Sequence, residues 1–158
     1  MPSMSPHCFT RMELHDYRAD DFDSLWELDQ QCFPPEIAYS RRELSYYLKK
    51  KSAVVLVASD DAKLLGFAVG HVDARGFGHV VTLDVAPGER KRGLGSTLMQ
   101  GLETRFRDAG CGSAFLEVAV NNRAALSFYK KHGYTVLKTL RRYYPGGLDG
   151  LLMGKQLE

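Results

Sequence analysis

The sequence predicts an α/β protein in which a mixed sheet of six to seven strands carries helices on both faces. Two observations lead to this fold class. Segments with strand character alternate along the chain with segments whose apolar residues recur at helical spacing. Near the middle of the chain, a strand, a basic glycine-rich turn and a long helix follow one another. Such an alternation is typical of a sheet covered by helices.

Composition sets the broad class of the protein. The 158 residues suffice for one domain with its own core and are too few for two. Hydrophobic residues make up 44% and charged residues 25%, which is ordinary for a soluble globular protein. The formal net charge of +2 is too small to favour nucleic acid or an anionic membrane as a partner.

The cysteines and the lengths of the apolar runs indicate the cellular compartment of the protein. Cys8, Cys32 and Cys111 are odd in number, far apart and form no CxxC pair, which favours a reducing compartment over a disulfide framework or a zinc site. No apolar run approaches the roughly 20 residues of a membrane-spanning helix, and residues 1–11 lack the apolar stretch of a secretory signal. We therefore expect a cytoplasmic protein with no metal and no membrane partner, as a monomer or a weak homodimer.

Residues 1–11 are predicted to form a flexible tail. The domain spans residues 12–158 and begins with a strand and a helix. Residues 13–18 form a short first strand. The next segment begins at cap-type aspartates and carries apolar residues at helical spacing, which predicts a helix. This helix must end at Phe33-Pro34-Pro35, because proline removes a donor and restricts the residue before it.

A second helix and three strands follow. Ser40 and Glu43 form a capping box, which predicts a helix that runs to about residue 50. Residues 53–58 are a continuous apolar run, the mark of a buried strand. Two more strands are predicted over residues 64–72 and 79–86.

The second half of the chain alternates helix and strand. A long helix begins near Gly93, with Leu94, Leu98, Leu102 and Phe106 along one face. It is followed by a strand over residues 114–120, a helix over 123–132 that ends at Gly133, and two strands that flank residues 145–147.

The turn between Val85 and Ser96 predicts an anion site. The first turn of the helix has unpaired backbone N–H groups and the positive end of the helix dipole, where a pyrophosphate binds well. Gly93 and Gly95 lack a Cβ, so phosphate oxygens can approach the backbone, and basic side chains surround them. Two other interpretations are a plain solvated turn and a nucleotide P-loop, but the Gly-Lys-Ser/Thr ending of a P-loop is missing.

Two motifs in this order resemble the GNAT acetyltransferase superfamily. The first is Arg90-x-x-Gly93-x-Gly95 after a strand end, which matches the coenzyme A motif of that superfamily. The second begins at Leu116-Glu117-Val118 and continues through Asn122 and Phe128-Tyr129 to Gly133-Tyr134, about 40 residues further on. The resemblance runs from about residue 12 to the C-terminus. It implies the GNAT fold, with a splay between the fourth and fifth strands, and acetyl-CoA as co-substrate.

The resemblance also implies which residues bind the cofactor. The pantetheine arm is expected between the splayed strands, paired with backbone near Leu83 and Val85 and contacted by Asn122. Tyr129 is expected to point its hydroxyl at the thioester sulfur. The pyrophosphate is expected on the turn, held by Arg90, Lys91, Arg92, Gly93, Leu94, Gly95 and Ser96. Packing on a helix face is the alternative for Tyr129, and a helix N-cap is the alternative or additional role of Asn122.

Glu117 is the predicted general base. It interrupts an otherwise apolar strand, where a carboxylate is costly unless it is paired or faces a wet cleft. A salt bridge to a neighbouring strand is the alternative. His79 is a second candidate, because on a simple two-residue period it shares a face with Val81, Leu83 and Val85. An ordinary, partly exposed histidine is the equally simple interpretation of His79.

Within the superfamily, the chain is most similar to protein N-terminal acetyltransferases, especially the bacterial ribosomal-protein-alanine group. Cys32-Phe33-Pro34 resembles the loop that lines the pocket for the first substrate residue, and residues 116–118 resemble the strand that carries that group's glutamate. Arg141-Arg142-Tyr143-Tyr144-Pro145 resembles a substrate-gripping Arg-Asn-Tyr-Tyr-Pro stretch, with Arg142 in place of Asn.

These likenesses imply a protein or peptide N-terminus as the acceptor, with Phe33, Pro34, Tyr143 and Tyr144 as substrate-binding residues. A small-molecule amine or lysine acetyltransferase of the same fold is one alternative. A non-catalytic acyl-CoA-binding module is another, and the presence of both Glu117 and Tyr129 argues against it.

Overall fold

The structure, a computed structural model, describes residues 12–61, 63–90 and 92–158. Within them, seven strands and four helices form the predicted mixed α/β fold. The predicted tail, residues 1–11, and Lys91 lie outside the described residues. The strands are β1 (Met12–Asp16), β2 (Ala53–Asp60), β3 (Lys63–Val72), β4 (Gly78–Val85), β5 (Ser113–Ala119), β6 (Thr135–Tyr144) and β7 (Leu148–Gln156). The helices are α1 (Phe22–Cys32), α2 (Arg41–Leu48), α3 (Leu94–Asp108) and α4 (Arg123–Lys131).

The predicted boundaries hold best where a cap or breaker sets them. Ser40 accepts from the Glu43 N–H and Glu43 bonds back to the Ser40 N–H, so the capping box that begins α2 is confirmed. Gly133 follows α4 with a φ of 94°, the left-handed conformation that glycine adopts at low cost. The first strand ends at Asp16, before the predicted residue 18, because Ala19–Asp21 form a short 3₁₀ turn ahead of α1.

The sheet has the order β1-β2-β3-β4-β5-β7-β6. The pair β4–β5 is parallel, and the other neighbouring pairs are antiparallel. Strands β4 and β5 pair at Gly78–Ala114 and His79–Phe115, near their starts, and the ladder stops there. Both strands continue beyond this point, so they splay apart towards their carboxyl ends as predicted. The splay opens a cleft in the middle of the sheet.

Two apolar cores cover the two faces of the sheet. One lies under α3, around Leu98, Leu102 and Phe106, and the other lies under α1 and α2, around Leu25 and Leu44. Helices α1, α2 and α3 each bury apolar residues along one stripe against the sheet, as their spacing predicts. Among the described residues, no helix has the length and apolar character needed to cross a bilayer.

A bulge in β4 changes which side chains share a face. Val69 is paired with Thr82, but the next residue of β3, Gly70, is paired with Val80, so Val81 is an extra residue. Val81 packs on the α1–α2 core, whereas Leu83 and Val85 pack on the α3 core. The prediction that His79 shares a face with Leu83 and Val85 is therefore wrong, because the bulge interrupts the two-residue period.

Candidate active site

The turn after β4 has the geometry of an anion site. A short 3₁₀ turn, Pro87–Glu89, leads to Gly93, which precedes α3 with a φ of 82°. The Thr97 N–H donates to the Gly93 carbonyl and is the first backbone bond of the helix. The N–H groups of the residues between them have no acceptor within the helix, so they are free to bind an anion. A helix N-terminus of this kind suits a pyrophosphate.

The side chains around this turn have partners of their own. Arg92 lies 3.1 Å from the Glu89 carboxylate, and Arg90 Nε donates to the Val85 carbonyl at 3.1 Å. Ser96 Oγ lies 2.9 Å from His132 Nε2. Arg90 therefore covers the Val85 carbonyl at the lip of the cleft.

Gly95 has a packing role that the sequence did not reveal. A Cβ at this position would lie 3.2 Å from the Phe128 ring, which is tighter than ordinary contact. The missing side chain thus lets α3 approach α4 closely. Gly93 differs, because its Cβ would meet nothing within 4 Å and only its positive φ requires glycine.

Helix α4 and its N-cap carry two of the predicted cofactor residues. Asn122 Oδ1 accepts from the Ala125 N–H at 3.1 Å, so Asn122 is the N-cap of α4, which was its alternative role. The ring of Tyr129 packs on the α3 core. Burial, with a smaller contribution from Asp84, raises the pKa of Tyr129, so the phenol keeps its proton at neutral pH.

Glu117 and His79 face each other across the start of the splay. His79 Nε2 lies 2.8 Å from Glu117 Oε1, and the two side chains are 24% and 22% exposed. A cleft of about 290 Å³ opens beside them, lined by Asp73, Arg75, His79, Phe115, Glu117 and Leu152. Glu117 is therefore both paired with a neighbouring strand and open to a cleft, and the two predicted bases form one unit.

A second histidine extends this pair. His71 of β3 is the register partner of His79, and its Nε2 lies 3.0 Å from His79 Nδ1. Its side chain is buried, with 9% of the residue exposed. Burial and the nearby charges of His79 and Lys50 lower the pKa of His71.

Four tyrosines lie within the field of the Glu117 carboxylate. Tyr39 and Tyr47 come from the region of α1 and α2, and Tyr143 and Tyr144 come from the end of β6. Burial is the main cause of the raised pKa of all four hydroxyls, and Glu117 adds to it in each. The pKa of Tyr143 reaches about 12. Each hydroxyl keeps its proton at neutral pH, and that of Tyr39 donates to the Val81 carbonyl at 3.3 Å.

Phe33 and Pro34 end α1. The Phe33 N–H donates to the Asp29 carbonyl at 3.2 Å, Phe33 is half-buried, and Pro34 is exposed. The pair thus acts as the helix stop that the prolines predict. From this part of the chain, it is Tyr39 and Tyr47 that lie within the field of Glu117.

Two buried carboxyls lie between α1 and β4. Asp29 and Asp84 are 0% and 1% exposed, each carboxyl lies in the field of the other, and Asp29 Oδ1 and Asp84 Oδ2 are buried without a donor from the described residues. Asp29 Oδ2 accepts from the Tyr39 N–H at 2.8 Å and Asp84 Oδ1 accepts from Thr82 Oγ1 at 2.5 Å. Two carboxyls buried side by side cannot both ionise without a large cost, so the pair holds one proton. Burial is the main cause that raises the pKa of Asp84 well above its usual range.

Cys32, the last residue of α1, makes a further contact with the lip of the cleft. Its Sγ donates to the Val85 carbonyl at 3.5 Å, and an Arg90 guanidinium nitrogen lies 3.5 Å from the sulfur. Burial is the main cause that raises the pKa of the Cys32 thiol to about 11.

Comparison with known proteins identifies the family. The model of the acetyltransferase (GNAT) family matches residues 22–134, which is more than half of the chain. The chain belongs to this family. It is an acetyl-CoA-dependent N-acetyltransferase.

Relatives of this acetyltransferase cover nearly its whole length. An uncharacterized N-acetyltransferase of Methanocaldococcus jannaschii is 31% identical over 146 residues, 92% of each chain. An N-alpha-acetyltransferase of Sulfurisphaera tokodaii is 29% identical over 153 residues, 89% of this chain and 90% of that protein. The ribosomal-protein-S18-alanine N-acetyltransferase from Escherichia coli has the same fold, with a TM-score of 0.83 and 20% identity over 93% of this chain and 94% of that chain.

Several residues around the site of this acetyltransferase were not predicted from the sequence. His71 was within reach, because the predicted turn after residue 72 joins two strands and a hairpin brings residues at equal distances from its turn together. Tyr39, Tyr47 and the pair of Asp29 with Asp84 depend on how α1 and α2 pack on the sheet, which no local pattern reveals.

Proposed function

We propose that this acetyltransferase transfers the acetyl group of acetyl-CoA to the α-amine of a protein or peptide N-terminus. The observation that carries the proposal is the convergence of tyrosines on Glu117 from two distant parts of the chain, around α1 and α2 and at the end of β6. Tyrosine hydroxyls can bond a peptide backbone whatever its sequence, while their rings flank its side chains. Similarity to a relative named N-alpha-acetyltransferase supports the same acceptor class.

The chemistry of the proposed reaction suits an α-amine. Its pKa is about 8, against about 10.4 for a lysine amine, so at neutral pH a larger fraction of α-amines is already deprotonated. A single carboxylate that acts through a water molecule is then a sufficient base. Glu117, held by His79, has this role in the proposal.

The amine attacks the thioester carbonyl carbon directly in a ternary complex. The N–C bond forms as the C–S bond breaks, the amine loses a proton towards Glu117, and the leaving sulfur takes a proton from Tyr129. Backbone N–H groups along the splayed part of β4 polarise the carbonyl oxygen. Backbone N–H groups of the turn before α3 hold the pyrophosphate.

A peptide panel tests the acceptor. Short peptides with free or blocked N-termini, each with one internal lysine, are incubated with acetyl-CoA and the products are read by mass spectrometry. We expect acetylation of free N-termini alone. Acetylation of blocked peptides at lysine, or of spermidine and aminoglycosides in preference to any free N-terminus, would show that the acceptor belongs to another class.

The tyrosines provide a second test. Tyr143→Phe and Tyr144→Phe each remove a hydroxyl and keep the ring. We expect a higher KM for peptides with kcat little changed, the pattern of lost ground-state binding. Tyr46→Phe is the matched control, because Tyr46 is 61% exposed on α2. An unchanged peptide KM in both β6 variants would remove these hydroxyls from the acceptor site.

A further inference from the structure

His71, His79 and Glu117 form a hydrogen-bonded line across three neighbouring strands. His71 Nε2 lies 3.0 Å from His79 Nδ1, and His79 Nε2 lies 2.8 Å from Glu117 Oε1. The ring of His79 is held at both nitrogens, so it cannot turn without losing both contacts. The proposed reaction uses His79 and Glu117 and leaves His71 without a role.

Hydrogen-bond chemistry fixes how this line is protonated. An ionised carboxylate only accepts, so His79 Nε2 donates to Glu117. One proton lies between His79 Nδ1 and His71 Nε2, because two bare or two protonated nitrogens at 3.0 Å do not bond. In a neutral His79 whose Nε2 carries the proton, Nδ1 is bare, so the proton of the second bond belongs to His71 Nε2, and His71 thereby fixes the tautomer of His79.

The overall reaction changes the protonation of Glu117 in every turnover, so its contact with His79 has to re-form each time. With a pKa of about 8, most α-amines reach the enzyme at neutral pH as ammonium ions. An ammonium and acetyl-CoA give an amide, a free thiol and one proton. Each turnover of an ammonium thus leaves one proton in the cleft, and Glu117 must lose it before the next turnover.

The surroundings of His71 keep its ring neutral and in place. Its ring meets the Tyr47 ring of α2, with centroids 6.2 Å apart, and it lies in the fields of Lys50 and of Asp73 in the turn after β3. Burial is the first cause that lowers the pKa of His71, and His79 and Lys50 lower it further, so the ring stays neutral at neutral pH and has one N–H to donate. Glu117 lines the open cleft and its side chain is 22% exposed, so it returns its proton to solvent there.

We propose that His71 is a positioning residue of the reaction: by donating to His79 Nδ1, it holds the ring of His79 against Glu117 and fixes the tautomer in which His79 Nε2 donates to the carboxylate. The identity of the amine rests on the proposed function. The ring contact itself does not, so the two can fail separately.

A pair of variants tests this role. His71→Phe keeps an aromatic ring against Tyr47 and removes both nitrogens, whereas His71→Gln places an amide near the position of Nε2. Because Glu117 stays in place, we expect His71→Phe to lower kcat roughly tenfold, less than the loss of a general base itself. The acid limb of the pH profile of kcat should move. His71→Gln should keep a kcat closer to that of the wild type.

The matched control is His15→Phe, on the far edge strand β1, which should change neither kcat nor its pH profile. Nitrogen-15 spectra of the histidine rings, recorded without any acceptor, test the contact independently of the substrate. We expect the His79 ring nitrogens to shift in His71→Phe and not in His15→Phe. Unchanged His79 resonances, or a wild-type pH profile of kcat in His71→Phe, would overturn the proposal. An inactive wild type on every peptide, together with shifted His79 resonances, would overturn the acceptor class instead.

Discussion

Glu117 is in two environments at once, because it accepts a hydrogen bond from a histidine and lines an open cleft. Glu117→Gln keeps the shape and the contact with His79 but removes the proton acceptor. General-base assistance contributes roughly 10²–10⁴-fold, so we expect kcat to fall by that factor. Acetyl-CoA affinity, measured by calorimetry, should stay close to that of the wild type.

A matched control for this change is Glu13→Gln, because Glu13 is an exposed strand glutamate on β1, away from the cleft. It should leave kcat unchanged. If Glu117→Gln kept most of its rate between pH 6 and 9, His79 or water alone would have to be the base.

The buried pair of Asp29 and Asp84 makes stability depend on pH. The pKa of Asp84 is raised in the folded protein, so its protonated form is stabilised by folding. The stabilisation is complete below the pKa of the unfolded chain, about 3.9, and is lost as the pH rises towards the folded value. Asp84→Asn stays neutral and can donate to Asp29 at every pH. We therefore expect its free energy of unfolding, relative to the wild type, to increase from pH 5 to pH 8.

Urea unfolding at the two pH values measures this difference. Asp108→Asn, at an exposed carboxyl at the end of α3, is the control and should show a much smaller dependence. An Asp84→Asn variant that loses stability relative to the wild type as the pH rises would contradict a shared proton.

At the scale of single elements, two glycines of the turn before α3 form a natural comparison. Gly88 and Gly93 both have open space where a Cβ would lie, but only Gly93 has a positive φ. An alanine in that conformation costs about 1–2 kcal/mol, and the turn relieves the strain by moving its N–H groups. We expect Gly93→Ala to weaken acetyl-CoA binding about tenfold, the equivalent of about 1.4 kcal/mol. Gly88→Ala should bind like the wild type in calorimetry, and equal losses in both would show that the conformation of Gly93 is not the cause.

Strand β6 contains a strained arginine. Arg142 has a φ of 52° and its N–H donates to Asp149 Oδ1 at 2.8 Å. Asparagine tolerates this conformation better than arginine does, and the similar stretch in the ribosomal-protein-alanine group has asparagine here. We expect Arg142→Asn to stabilise the protein by about 0.5–1 kcal/mol, which raises Tm by roughly 1–4 °C.

Thermal unfolding of Arg141→Asn is the comparison, because Arg141 is not among the described residues with a positive φ. A similar gain in Tm for both variants would point to the removal of positive charge and not to backbone strain.

Local chemistry explains which elements the sequence predicts well. The capping box at Ser40, the N-cap at Asn122 and the glycine at the end of α4 act within one turn of helix, so each can be read from a few neighbouring residues. The bulge at Val81 is different. Its position depends on how β3 and β4 pair, and the local sequence around Val81 does not show where the register shifts.

At the scale of the molecule, the two parts of the sheet meet at a narrow seam. The ladder between β4 and β5 consists of two residue pairs. A ligand that fills the splay adds contacts to both sides, so acetyl-CoA should stabilise the whole fold. At about 100 times its Kd, a ligand adds about 2.7 kcal/mol, which raises Tm by roughly 5–10 °C for a chain of this size.

A thermal scan with acetyl-CoA, and with ATP as the control, measures this effect. ATP has phosphates for the turn but no pantetheine arm for the splay, so its shift should be much smaller. Equal shifts from both ligands would mean that the splay contributes little to binding.

The sequence predicts the fold more completely than it predicts the centre of the site. The fold, the anion turn and Glu117 are visible because strand, turn and helix patterns lie along the chain. The tyrosines around Glu117 are visible only in part. Tyr143 and Tyr144 belong to the recognisable stretch of residues 141–145. Tyr39 and Tyr47, in contrast, reach the site because α1 and α2 pack on the sheet. That placement depends on tertiary contacts between residues far apart in the chain.

Because Cys32 contacts the Val85 carbonyl, the reactivity of its thiol reports motion of the end of α1 relative to β4. With a thiol pKa raised to about 11, Cys32 reacts slowly at pH 8, since the thiolate is the form that attacks alkylating reagents. Movement of the end of α1 away from β4 would expose the thiol, relieve the shift of its pKa and speed alkylation. The rate at which iodoacetamide modifies Cys32, mapped by mass spectrometry of its peptide, thus reports how often the lip of the cleft opens. A ligand that holds the lip closed should slow that labelling without touching the sulfur.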